Sequence, residues 1–91
     1  MIECFKHKGL KKLFNGDRSG VSAELADRIE NILAMLSVAE KLKDLSLPSL
    51  KLHPLKGDLK GFHAVTVRAN WRIVFRFEDG DCFDVDLVDY H

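Results

Sequence analysis

Two histidines, an arginine, a lysine, a tyrosine and an aspartate stand in three short runs of this chain, and together they can move protons beside a phosphate. The runs are His53-Pro54-Leu55-Lys56-Gly57-Asp58, Asn70-Trp71-Arg72 and Asp89-Tyr90-His91. An unperturbed imidazole titrates near about pH 6.5, so His53 and His91 are the natural proton carriers. Arg72 and Lys56 can meet the charge that develops on a phosphorane. Tyr90 can hydrogen-bond a phosphate or stack on a base, and Asp89 can orient a histidine or take a proton itself. This inventory suits metal-free cleavage of RNA, in which the 2′-hydroxyl loses a proton as it attacks phosphorus and the departing 5′-oxygen gains one. Residue type does not fix which histidine is acid and which is base. No metal or other cofactor is expected. Each residue also has a plainer reading: a loop histidine before proline, a turn lysine beside Asp58, and a frayed Tyr-His at a chain end.

Positioning such groups requires a scaffold, and the sequence indicates one of mixed helices and strands. Residues 2–5 can form a short first strand. Residues 6–14 read as a helix with Gly9 as its weak point, stopped by Asn15-Gly16-Asp17. A second helix runs from Ser22, its N-cap, through Leu25, Ile29, Ile32, Leu33 and Leu36, which share one face of a 3.6-residue period. That stripe is read as core. A further helical turn follows at residues 40–43.

The second half carries strand signal. Residues 62–68 and 71–77 are separated by Ala69-Asn70, the spacing of a tight hairpin. In that register Arg68 faces Trp71, Thr66 faces Ile73, Ala64 faces Phe75 and Phe62 faces Phe77. A three-residue Glu78-Asp79-Gly80 loop then pairs Phe75 with Phe83, Ile73 with Val85 and Trp71 with Leu87, gathering the apolar residues under the helices. It leaves Val65, Val67, Arg72, Val74, Arg76, Cys82, Asp84 and Asp86 on the other face. Arg72 would lie opposite Asp86, either as a cross-strand ion pair or as a guanidinium held for a phosphate.

A length of 91 residues fits one domain, 1–91. At 46% hydrophobic and 31% charged, the composition is that of a folded protein and excludes a disordered one. Cys4 and Cys82 lack the spacing of a zinc site and are too few for a disulfide scaffold, so both are read as reduced thiols. No apolar run suggests a membrane span or signal peptide, and a cytoplasmic location is expected. Formal charge is zero, but residues 79–91 hold Asp79, Asp81, Asp84, Asp86 and Asp89 without a Lys or Arg, leaving 14 basic against 9 acidic residues in the rest. A basic face is compatible with that asymmetry, as is a solvated surface of mixed charge.

The segments Phe5-Lys6-His7-Lys8-Gly9-Leu10-Lys11, Leu52-His53-Pro54-Leu55-Lys56-Gly57-Asp58, Val67-Arg68-Ala69-Asn70-Trp71-Arg72-Ile73 and Asp89-Tyr90-His91 together resemble the HigB toxins of the RelE/ParE superfamily, over essentially the whole chain. The resemblance implies an α+β fold with an N-terminal strand and two helices packed on a curved antiparallel sheet. It implies a toxin of a type II toxin-antitoxin system: a metal-independent endoribonuclease that cuts messenger RNA in the A site of the ribosome's small subunit. The partner it implies is a HigA-like helix-turn-helix antitoxin, through which alone the toxin would meet DNA. His53, Asp89, Tyr90 and His91 would be catalytic, with Lys56 and Arg72 assisting. Lys6, Lys8, Lys11 and Lys12 would grip ribosomal RNA. Sequences of this type usually carry tryptophan after Phe62; here it is His63, read as an exposed strand histidine. Two rival readings are a ParE-like toxin binding DNA gyrase and an inactive partner of the antitoxin.

Overall fold

The computed structural model describes residues 1–90. Helix α1 spans Lys8–Phe14 and α2 spans Ala23–Val38; strands β1 to β4 span His53–Pro54, Phe62–Arg68, Trp71–Glu78 and Asp81–Asp89. The strands form one antiparallel sheet in the order β1-β2-β3-β4, with both helices on one face.

Helix α2 has the expected periodicity, with Leu25, Ile29, Ile32, Leu33 and Leu36 all buried. Ser22 occupies its N-cap position, but its side chain makes no capping bond. Helix α1 starts two residues later than expected, because the His7 side chain takes the Leu10 amide at 3.2 Å and defines the first turn. Asn15 ends it. Gly9 of α1 meets Gly20 backbone to backbone. A Cβ added at Gly9 would lie 2.1 Å from the Gly20 carbonyl oxygen, so the crossing admits no side chain. A helical turn follows α2 at Leu42–Leu45, two residues later than expected, and Leu45 seals the core.

The N-terminal strand joins β4 through two parallel bridges, Ile2 to Cys82 and Phe5 to Val85, and not through a continuous ladder. The interruption lies at Asp84, whose φ of 55° turns its amide to the Cys4 sulfur at 3.2 Å.

Two bulges revise the expected strand register. In the first hairpin Arg68 does face Trp71 across Ala69-Asn70, but a bulge between Thr66 and Arg68 shifts every later pair. Val65 now faces Ile73, His63 faces Phe75 and Phe62 faces Arg76. The shift is by one residue, and side chains alternate between faces along a strand, so β2 turns over. Val65 and Val67 enter the core, while Phe62, Ala64 and Thr66 share the face away from the helices.

In the second hairpin the loop is the two-residue Asp79-Gly80, not the three-residue one, because Asp79 and Gly80 both adopt positive φ (48° and 85°) and Glu78 pairs with Asp81. This buries Cys82, expected on the open face. The bulge at Asp84 then inserts the missing residue, returning Val85 and Leu87 to the core side, with Leu87 now opposite Ile73. The expected pairs Phe75–Phe83, Ile73–Val85 and Trp71–Leu87 are accordingly replaced by Arg76–Phe83, Ile73–Leu87 and Trp71–Asp89.

The core is aliphatic, with Phe75 its largest fully buried side chain. Each such residue contributes about 1.5–3 kcal/mol when fully buried. Arg28 ties α2 to the sheet, donating from Nε to the Val67 carbonyl at 3.2 Å and from Nη2 to that of Ser49 at 3.1 Å.

Candidate active site

The face of the sheet away from the helices carries the candidate site. Directly opposed residues share a face, so the pairs His53–Ala64, Ala64–Val74 and Val74–Asp86 define one row across all four strands. Thr66, Arg72 and Val88 form the next row. His53, Arg72 and Tyr90 thus come to one surface from positions far apart in sequence.

His53 is exposed on β1, and its Nδ1 lies 2.9 Å from the Lys51 carbonyl oxygen. A carbonyl only accepts, so the bond requires a proton on Nδ1 and leaves the lone pair of the neutral ring on Nε2. β1 is fixed by main-chain bonds: the Thr66 amide to the Leu50 carbonyl at 2.7 Å, and the Leu55 amide to the Phe62 carbonyl at 2.9 Å. Lys51 itself adopts a φ of 49°, which turns the chain into the strand. Lys56 is exposed at the N-cap of a short turn, Gly57–Leu59.

Arg72 does not pair with Asp86. The revised register places it opposite Val88, and its Nη1 donates to the carbonyls of Ala69 at 2.6 Å and Trp71 at 3.1 Å. Ala69 accepts a φ of 49° in this turn, a conformation that β-carbon crowding disfavours. The guanidinium carbon stands 5.6 Å from the Tyr90 ring centroid, within cation–π range. Tyr90 is held there by its amide, which donates to the Asn70 carbonyl at 2.8 Å. The hairpin tip therefore orients Arg72 and Tyr90 together. Asp89, opposite Trp71, precedes them at the end of β4. His91, the other expected proton carrier, lies outside the described residues.

Beside these groups lies a groove of about 550 Å³. Leu59, Phe62, Val74, Val88 and Tyr90 provide its apolar lining; Lys6, Asp84, Asp86 and Asp89 provide its charge. Of the expected RNA-gripping lysines only Lys6 reaches this groove; Lys8, Lys11 and Lys12 are exposed on α1.

His63 differs from expectation. The β2 bulge turns it toward the core side, where it is half-buried and stacks on Phe75 with ring centroids 6.3 Å apart. Its Nδ1 is buried without a hydrogen-bond partner among the described residues. Burial, reinforced by the neighbouring His53, lowers its pKa. Both cysteines are free: Cys4 is exposed, and burial pushes the Cys82 thiol up to about 11.

The residue types of the candidate site could be proposed from the sequence, but its main-chain parts could not. The carbonyls of Lys51, Ala69 and Asn70 orient His53, Arg72 and Tyr90, and a carbonyl leaves no mark in a sequence. The groove residues Leu59 and Phe62 also gave no signal, because only the bulge assigns Phe62 to this face.

Solved structures define the class first. A YafQ mutant from E. coli superposes with a TM-score of 0.65 at 19% identity, over 98% of this chain and 91% of that one. A YoeB/ParE toxin from Agrobacterium tumefaciens does so with a TM-score of 0.56 at 17% identity, over 100% and 95%. At such identities the likeness speaks for the fold, two helices on a four-stranded antiparallel sheet. Sequence narrows it. Residues 3–91 match the family of RelE-like HigB toxins of type II toxin-antitoxin systems, and the chain belongs to that family. It is 50% identical to the Endoribonuclease HigB of Proteus vulgaris over 100% of both chains. It is 27% identical to Toxin HigB-1 of Vibrio cholerae serotype O1 over 84% of this chain and 83% of that one.

Proposed function

We propose that this HigB-family toxin is a ribosome-dependent endoribonuclease that cuts messenger RNA in the A site of the small subunit and so stops translation. The observation that carries the reading is the open sheet face. There Arg72 and Tyr90 are oriented together by one hairpin tip, and His53 projects with its Nδ1 proton committed to Lys51. The full-length identity to a protein named an endoribonuclease supports the same reading.

In this mechanism Nε2 of His53 accepts the 2′-hydroxyl proton as that oxygen attacks the adjacent phosphorus. Arg72 and Lys56 meet the negative charge of the phosphorane, and Tyr90 hydrogen-bonds its oxygens or stacks on a flanking base. His91 protonates the departing 5′-oxygen, and Asp89 assists the proton transfer. The products are a 2′,3′-cyclic phosphate and a 5′-hydroxyl. Acid, base and charge stabilisation all come from side chains, so no metal takes part.

Lys6 and the α1 lysines Lys8, Lys11 and Lys12 hold ribosomal RNA, and that docking brings the messenger against His53. The whole chain acts as one cytoplasmic domain. A HigA-like helix-turn-helix antitoxin neutralises it and supplies any contact with DNA. No helix among the described residues is long and apolar enough to cross a membrane.

The test is a reconstituted translation system with a defined messenger, run with and without ribosomes. Cleavage only with ribosomes, leaving cyclic phosphate ends, is the expected result. Growth arrest by a protein that cuts no messenger would discard the nuclease reading and direct attention to DNA gyrase.

A further inference from the structure

The groove on the open face suits a base better than a phosphate. Its lining is largely apolar, and three carboxylates, Asp84, Asp86 and Asp89, face one cation, Lys6, among the described residues. Such a surface repels the backbone of a polyanion. A nucleobase instead offers apolar faces and hydrogen-bonding edges.

The carboxylates are not equivalent. Asp84 is engaged, with one oxygen 3.7 Å from Arg76 Nη2 and the other 3.5 Å from the Cys4 thiol. Asp89 belongs to the proposed catalytic group. Asp86 is half-buried, and among the described residues its Oδ1 accepts only the amide of its neighbour Leu87, at 2.9 Å. Among the described residues it has no cation within ion-pair distance. It is thus a carboxylate on an apolar groove with acceptor capacity to spare.

We propose that the groove is a base-reading pocket in which Asp86 accepts a hydrogen bond from the exocyclic amine of a messenger base. The proposal rests on the reading of this chain as a messenger endoribonuclease. An ionised carboxylate only accepts. Adenine and cytosine present an amine to it, whereas uracil presents a carbonyl at the corresponding position. A uracil would set acceptor against acceptor in a partly dehydrated groove, leaving both unpaired.

The position in the sheet specifies which base is read. Asp86 lies three strands from His53 in the same row. With strands about 4.8 Å apart, that is roughly 14 Å along the sheet. The base read by Asp86 is therefore a neighbour of the attacked linkage and not the nucleotide whose hydroxyl His53 deprotonates.

The experiment uses the full chain in the ribosome assay with paired messengers that differ at one nucleotide. One carries adenosine; the other carries purine riboside, which keeps the ring and loses only the amine. The pair is moved through each position of the cleaved codon and its neighbours. At one position the wild-type protein should cut the adenosine messenger about tenfold faster, as a lost charged hydrogen bond requires. In Asp86→Ala the ratio at that position should fall to about one. Asp86→Asn, which keeps the shape and a neutral acceptor, should give an intermediate ratio, and it carries the test if the alanine variant does not fold.

A wild-type ratio of one at every position overturns the proposal, as does a preference that persists in both variants. Weaker antitoxin binding by Asp86→Ala with its preference intact would mark the groove as a protein seat and likewise overturn it. Failure of the wild-type protein to cut any messenger overturns the nuclease reading first, and this one with it.

Discussion

The two edges of the sheet are built in opposite ways. β1 is two exposed residues long, paired only with β2 and fixed largely by main-chain bonds. β4 is nine residues long, pairs with β3 along its length and with the N-terminal segment at its other side, and buries Cys82 and Val85 completely. The edge that carries the proposed general base adds nothing to the core, whereas the edge that carries Asp86 and Tyr90 is part of it. If the proposed roles hold, chemistry and stability are separable at β1 and entangled toward β4.

The sharpest way to break this comparison is His53→Ala. The side chain is exposed, so melting should change by no more than about 0.5 kcal/mol. Single-turnover cleavage should fall by about 10²–10⁴-fold, the range of a lost general base. A melting transition that falls in step with activity would erase the separation. Phe75→Ala tests the other side. Its ring is fully buried under the helices, and truncation should lower the stability measured by urea unfolding by about 3–5 kcal/mol.

A smaller effect comes from His63, which joins the two regions by stacking on Phe75 beside His53. Its folded pKa is lowered, so the folded chain binds fewer protons there than the unfolded chain does. The stabilisation is present above the unfolded value of about 6.5 and is lost as pH falls through the lower folded value. Urea midpoints measured between about pH 8 and about pH 5 should fall more for the wild type than for His63→Phe, which does not titrate. Parallel curves would show that His63 is not held neutral by the fold.

The least perturbing experiment is thiol labelling. Cys4 should alkylate in the folded protein, whereas Cys82, buried and pushed up to about 11, should label only on unfolding. Intact mass should therefore rise by one adduct under native conditions. Two adducts would mean that the β4 edge opens.

The helix positions were legible because apolar spacing in α2 states the face to be buried, and residues 25–36 lie as their period requires. Strand faces were legible only up to the first bulge. At residues 66–68 and at Asp84 an extra residue enters a strand, and neither site carries the glycine that commonly signals one. In β2 the single slip reversed every face and moved His63 from solvent to the core side. On β4 the turn and the bulge each shifted the register by one residue, so Leu87 stayed inward while the partner of Arg72 changed from Asp86 to Val88. The identities of His53, Arg72 and Tyr90 came through motif resemblance, which is insensitive to register. Their orientations depend on carbonyl groups, and those follow from backbone geometry alone.

The carbonyl bonds to Arg72 have a consequence for timing. A free arginine side chain gives up as much as about 1.5–2 kcal/mol of rotamer entropy when it is fixed. Here that loss falls during folding, when Nη1 is captured by the hairpin's own carbonyls and the planar group comes to rest beside Tyr90. In the proposed mechanism the scissile phosphate would therefore meet a guanidinium that folding has already oriented, and less of its binding energy would be diverted to ordering the protein.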